Sequence, residues 1–181
     1  MQGKALEQVE EFFVTGLEKY LDAKCAVTMF EQEVQRRVKK VVTRHQPELA
    51  RLFGEDWSLR DYYDTSQMPE YMYLGQQAAF KGAGVLYFSL AFWHDDNHNS
   101  GLSPSIIFWR ERVTLLGSLW ESINAIRPRP KSLGVRNDRF WLTGSQPSNN
   151  WSSCERELDS VISEWVELWE THCAGGLTKL P

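Results

Sequence analysis

The sequence predicts an α+β domain, and three observations lead there. Apolar residues recur at three- and four-residue steps near both ends of the chain, the spacing of one helix face. Between those ends, short apolar runs are bounded by turns rich in glycine, aspartate and asparagine, which is the pattern of strands. Three of these runs carry the same bulky dipeptide, Phe92-Trp93, Phe108-Trp109 and Phe140-Trp141, and Tyr71-Met72-Tyr73 and Leu86-Tyr87-Phe88 add further aromatic weight. Neighbouring side chains on a strand point to opposite faces, so each pair sends one ring to either side of the sheet. Helices can cover one side; the other calls for a second layer, a partner or a ligand.

The elements follow in order. Leu6, Val9, Phe13, Leu17, Tyr20 and Leu21 mark a helix over 4–24. Thr28 with Glu31 has the form of a capping box, so a second helix is expected from there, with Phe30, Val34, Val38, Val41 and Val42 inward. Pro47 interrupts it, and a short turn closes at Gly54. Residues 55–69 read as an irregular linker. A strand over 71–80, the glycine-rich turn 81–84 and a strand over 85–94 form a hairpin. The loop 95–104 leads to a third strand at 105–109. Val113, Leu116, Trp120 and Ile123 return to helical spacing, ended by Pro128 and Pro130. A basic loop, a strand near 139–144 and a helix over 152–172, opened by a Ser152–Glu155 capping pattern, complete the chain. The expectation is therefore N-terminal helices, a three-stranded antiparallel meander, a helix, a further strand, and a C-terminal helix packed on the sheet. All 181 residues are read as one domain, helical over about 4–53 and sheet-containing over about 70–173.

A hydrophobic share of 42% with 24% charged residues is ordinary for a globular chain, whereas eight Trp residues are many and favour both cores and interfaces. Cys25, Cys154 and Cys173 are too few and too far apart for a disulfide framework or a zinc knuckle. The first 25 residues lack the form of a secretory signal, and no apolar stretch reaches membrane-spanning length. A cytoplasmic protein without membrane attachment and without cofactor is expected.

The net charge of −4 is mild, but the charge is segregated. Residues 36–45 carry five Lys or Arg and no acid, while 152–172 carry six acids against Arg156. Arg36, Arg37, Lys40 and Arg44 could line a helix edge and neutralise phosphates; equally, the run could form a solvated face docked on the acidic helix. The opposite charges also allow a homodimer in which the two helices meet across a twofold axis. The loop from His94 to His98 is the densest set of metal-ligand types, with His94, Asp96 and His98 the candidate ligands, though Asp and Asn are also what an exposed turn prefers.

The order α-β-β-β-α-β resembles the core of the PD-(D/E)XK nucleases, in order alone. That resemblance implies an acid on the second strand and an acid-x-lysine on the third. Here the third strand offers only Glu111 and Arg112, residues 81–86 contain no acid, and Asp95 and Asp96 lie at the opposite end. No nucleophile elbow or phosphate loop is present either. The functional expectation is thus a non-enzymatic protein-binding domain, an inhibitor, immunity-type or accessory protein that blocks or holds a partner. Its binding residues are expected in the acidic and aromatic stretch of Trp57, Asp61, Tyr62, Tyr63, Asp64, Glu70, Tyr71 and Tyr73, a rim suited to a basic partner. The alternative is a nucleic-acid-acting protein, nuclease-like or a metal-dependent hydrolase, using the 36–45 stripe and the His94–His98 loop.

Overall fold

The computed structural model describes residues 2–64, 71–80, 84–94, 100–109, 123–126, 128, 130–136, 139–144 and 148–172. The chain divides into two compact units, Met1–Glu33 and Val34–Pro181. Helix α1 runs from Gln2 to Arg44 without a break, where the sequence predicts two helices. No proline occurs before Pro47, so nothing forces an interruption. Thr28 does not cap a new helix: its Oγ1 donates back to the Lys24 carbonyl at 3.0 Å, a bond available only inside a continuous helix. The break falls at His45, and α2 (Gln46–Phe53) follows with Pro47 in its first turn. Gly54 ends it with φ at +101°, a conformation that glycine adopts without strain.

Six strands form the sheet: β1 (Trp57–Asp64), β2 (Tyr71–Phe80), β3 (Gly84–His94), β4 (Ser100–Trp109), β5 (Leu133–Val135) and β6 (Arg139–Thr143). Their spatial order is β1-β2-β3-β4-β6-β5, and every pairing is antiparallel. Four of these match the predicted strands. The expected linker contributes β1, the expected basic loop contributes β5, and β4 begins five residues earlier than its aromatic run suggests. Of the helix predicted over 112–126, residues 110–122 lie outside the described residues, and 123–125 are helical. Helix α3 (Trp151–His172) is capped by Asn150 and not by Ser152, since the Ser153 amide donates to Asn150 Oδ1 at 3.2 Å.

Residues opposite one another in the ladder share a face. Ala78, Leu86, Phe108 and Phe140 therefore line up across four strands, as do Gln76, Phe88, Ile106 and Leu142 in the next row. All eight are buried. Helix α3 covers this face with Leu158, Val161, Ile162, Trp165 and Trp169. The Phe halves of two Phe-Trp dipeptides meet here: Phe108 and Phe140 stack with centroids 4.8 Å apart, and Trp165 lies 5.8 and 5.6 Å from them. Phe53 of α2 closes the cluster edge-on against Trp169 at 4.5 Å. In the same unit, Val34, Val38, Val41 and Val42 of α1 are fully buried, as the valine spacing predicts.

The other face is also covered at its centre. Leu86, Tyr87, Phe88 and Ser89 are consecutive in β3, and all four are buried, so neither side of this four-residue stretch meets water. On the second face the Ser89 and Ser105 hydroxyls bond to each other at 2.8 Å, each satisfying a partner that burial has cut off from solvent. The Trp half of one dipeptide serves the sheet's far edge. The indole of Trp141 lies flat over Gly134 of β5, where an added Cβ would sit 2.1 Å from the ring, and Arg136 lies over the same ring at 5.6 Å.

Candidate partner-binding surface

Strand β1 is an edge strand, and it carries five of the eight residues expected to bind a partner. Its register with β2 brings in two more, setting Asp64 opposite Tyr73 and placing Tyr71 two positions beyond. Glu70 lies outside the described residues. The pairing also divides the set between the two sides of the sheet. Positions 62, 64, 71 and 73 share one face; Trp57, Asp61 and Tyr63 share the face of Leu74 and Gln76. Trp57 is half-buried at the far end of β1, opposite Phe80.

Tyr62 and Asp61 have definable surroundings. The Tyr62 ring, half-buried, rests on Tyr87 with centroids 4.5 Å apart. The two rings reach each other across β2 because Tyr62 sits opposite Gly75, which has no side chain to separate them. That glycine is required on other grounds: a Cβ would lie 2.0 Å from the Phe88 carbonyl oxygen and 2.7 Å from the Ser89 Cα, both in the backbone of the next strand.

Asp61 is exposed yet structurally engaged. Gln76 Nε2 donates to Asp61 Oδ1 at 2.7 Å and to the Gln35 carbonyl at 3.3 Å, while Gln35 Nε2 donates to the Tyr62 carbonyl at 3.5 Å. Gln76 is fully buried, so its amide depends on these acceptors, while its Oε1 meets no donor among the described residues. Asp61 is thus the polar end of a buried network as well as a surface charge.

The basic stripe of α1 meets the acidic helix within one chain. Arg37 Nη1 contacts Glu155 Oε1 at 2.7 Å, with its guanidinium 4.8 Å from the centre of the Trp151 ring. Arg44 and His45 both approach Asp159, at 3.3 and 3.0 Å, and Arg51 pairs with Glu170. Arg37 and Arg44, both expected to hold phosphates, are therefore engaged by carboxylates of α3; Arg36 and Lys40 also reach solvent, Arg36 with a contact of its own. His94 ends β3 opposite Ser100, while Asp96 and His98 lie outside the described residues. Among the described residues no group of three or more His, Cys, Asp or Glu is placed to hold a metal ion. Cys154 is buried, and its thiol donates to the Ser148 carbonyl at 3.4 Å; burial pushes its pKa up.

One surface escapes the sequence reading. Val14, Leu17, Tyr20, Leu21, Val27 and Met29 of α1 are each more than half exposed. Helical spacing marks them as a helix, but the same spacing describes a face turned to a core and a face left open. No helix among the described residues is long and apolar enough to cross a membrane. Comparison with protein-family models, with curated proteins and with solved structures found no match.

Proposed function

We propose that the protein is a small protein-binding domain, acting as an inhibitor, immunity-type or accessory protein that blocks or holds a basic partner. The observation supporting this reading is that an edge strand of eight residues carries Trp57, Asp61, Tyr62, Tyr63 and Asp64, with Tyr73 in register beside Asp64. An edge strand offers unpaired backbone groups to an incoming chain, and rings interleaved with carboxylates suit a cationic one.

The test is capture of partners from native lysate on the tagged protein, with and without nuclease, followed by mass spectrometry. One stoichiometric protein that survives nuclease, and is lost with Asp64→Lys and Glu70→Lys, is the expected result. Asp61 needs a gentler probe, because reversing it would also strip Gln76 of an acceptor; Asp61→Asn removes the charge and keeps the oxygen. Unchanged capture by the charge variants refutes the surface. Loss of the captured material on nuclease treatment refutes the protein-binding reading and turns attention to Arg36 and Lys40.

A further inference from the structure

The edge of the sheet farthest from β1 gathers cations around a tryptophan. Gly134 stands opposite Trp141 in the β5–β6 pairing, and the Arg136 amide donates to the Arg139 carbonyl at 2.7 Å. Alternation therefore sets Gly134, Arg136, Arg139 and Trp141 on one face, while Phe140 turns to Trp165 of α3. Lys131 lies just before β5. The segment 127–139 holds five Lys or Arg against a single acid, Asp138, in a chain whose net charge is −4. Of these, Arg127, Arg129 and Asp138 lie outside the described residues.

Lys131 and Arg136 are exposed, and neither meets a carboxylate among the described residues, unlike Arg37 and Arg44 of α1. Glu164, which α3 brings to this hairpin, accepts the Ser132 hydroxyl at 2.5 Å. Arg139 is half-buried and has a contact of its own. Arg136 is nevertheless held in place. Its guanidinium lies 5.6 Å from the centre of the Trp141 ring, a contact that uses the face of the ring and none of the N–H donors. The ring is seated in turn, because it fills the space that a side chain at position 134 would occupy. A guanidinium positioned by stacking, with its donors unpaired, is suited to bidentate contact with phosphate oxygens.

The aromatic partner selects among anions. An acidic peptide needs the cations alone. A flat guanidinium over an indole adds affinity for a ligand with open planar faces, and unstacked bases of a single strand have them where a duplex does not. Strand β5 has three residues, too few to fill a groove of duplex DNA.

We infer that the β5–β6 edge binds single-stranded nucleic acid, with Lys131 and Arg136 on its phosphates and the Arg136–Trp141 stack supporting a base. This edge and β1 close opposite ends of the sheet, and its ligand requires no partner protein, so it and the surface proposed for β1 and β2 can fail separately.

Fluorescence anisotropy of a dye-labelled oligothymidylate, titrated with the purified full chain, tests it. A Kd between about 1 and 100 µM is expected at low salt. Two neutralised phosphates give a log–log salt slope of about −1.4, so raising salt from about 50 to 200 mM should weaken binding about sevenfold. Arg136→Gln, a surface change, should weaken binding about fivefold to tenfold and halve that slope. Trp141→Leu should weaken it at least about fivefold and leave the slope unchanged, since stacking releases no counterions. Arg36→Gln combined with Lys40→Gln should leave the Kd within about twofold. No binding below about 100 µM at low salt overturns the inference, as does an affinity that Arg136→Gln leaves unchanged. Tighter binding of polyglutamate or of a duplex of equal length overturns it as well, in favour of an acidic protein or of double-stranded DNA.

Discussion

Replacing Phe140 with alanine removes the ring at the middle of the aromatic cluster. Phe140 is fully buried, stacks on Phe108 at 4.8 Å with 14° between the planes, and packs on Trp165 at 5.6 Å. Truncating a buried Phe to Ala costs about 3–5 kcal/mol, the spread reflecting how far the site can collapse. Here collapse is restricted, because β6 is hydrogen-bonded on both sides, to β4 and to β5. The two ring contacts add about 0.5–1.5 kcal/mol each beyond burial. A loss of about 4 kcal/mol is therefore expected. Phe140→Leu retains most of the volume but loses the stacking, and should cost about 1.5 kcal/mol. With a urea m-value of about 2 kcal/mol/M, the alanine variant moves the unfolding midpoint down by roughly 2 M and the leucine variant by under 1 M. A shift below about 0.5 M for alanine would refute the packing argument. Equal shifts for the two variants would show that the stacked geometry contributes nothing.

Three further outcomes are expected. Gly75→Ala drives a Cβ into the β3 backbone, which cannot swing aside as a side chain would, and should cost at least about 3 kcal/mol in the same assay; a loss under 1 kcal/mol would mean that β2 and β3 separate easily. A double-mutant cycle on Arg37→Ala and Glu155→Gln should return a coupling of about 0.5–1 kcal/mol, discounted for partial exposure and reduced in 1 M salt; zero coupling at low salt would remove the pair from the account of how α1 docks on α3. In a Cys173→Ser background, a thiol reagent should label exposed Cys25 at once and buried Cys154 only with unfolding. The folded Cys154 thiol holds its proton to higher pH than the unfolded one. Its contribution is therefore intact at neutral pH and is lost as pH climbs past the ordinary thiol value of about 8.5. Equal labelling rates for the two cysteines would contradict its burial.

The fold class, the meander and the covering helix are legible in the sequence because their signals are local. Valines at 34, 38, 41 and 42 and the Leu158–Trp169 series each announce a buried helix face by spacing alone. What is lost has a physical reason in each case. Thr28 and Glu31 satisfy a capping pattern, but that pattern is equally compatible with the interior of a helix that nothing interrupts. Strand β1 hides because Asp61, though exposed, stands on the face of Leu74 and Gln76 and serves Gln76 there, which spoils the apolar alternation by which strands are recognised. Strand β5 is three residues long and contains a glycine whose missing side chain leaves room for the Trp141 ring of the adjacent strand. The candidate surface fares similarly: its acids and rings can be named from the sequence, but their division between two faces of a sheet depends on a register that only the assembled strands supply. The open face of α1 is the reverse case. Its periodicity is plain, and its exposure is not.

The covering of the sheet also sets an order of events during synthesis. Strands β1 to β4 are joined in sequence as a meander, so their pairing needs only neighbouring stretches of chain and should form early and quickly. The face they build, with Leu74, Leu86, Phe88, Ile106 and Phe108, is covered by α3, and α3 is translated after all six strands. At ribosomal rates of about 5–20 residues per second, the interval between Trp109 and the end of α3 lasts several seconds, during which a broad aromatic surface stands open to other chains. A chain cut before Trp151 should therefore be captured by holdase chaperones or aggregate, even with every strand present.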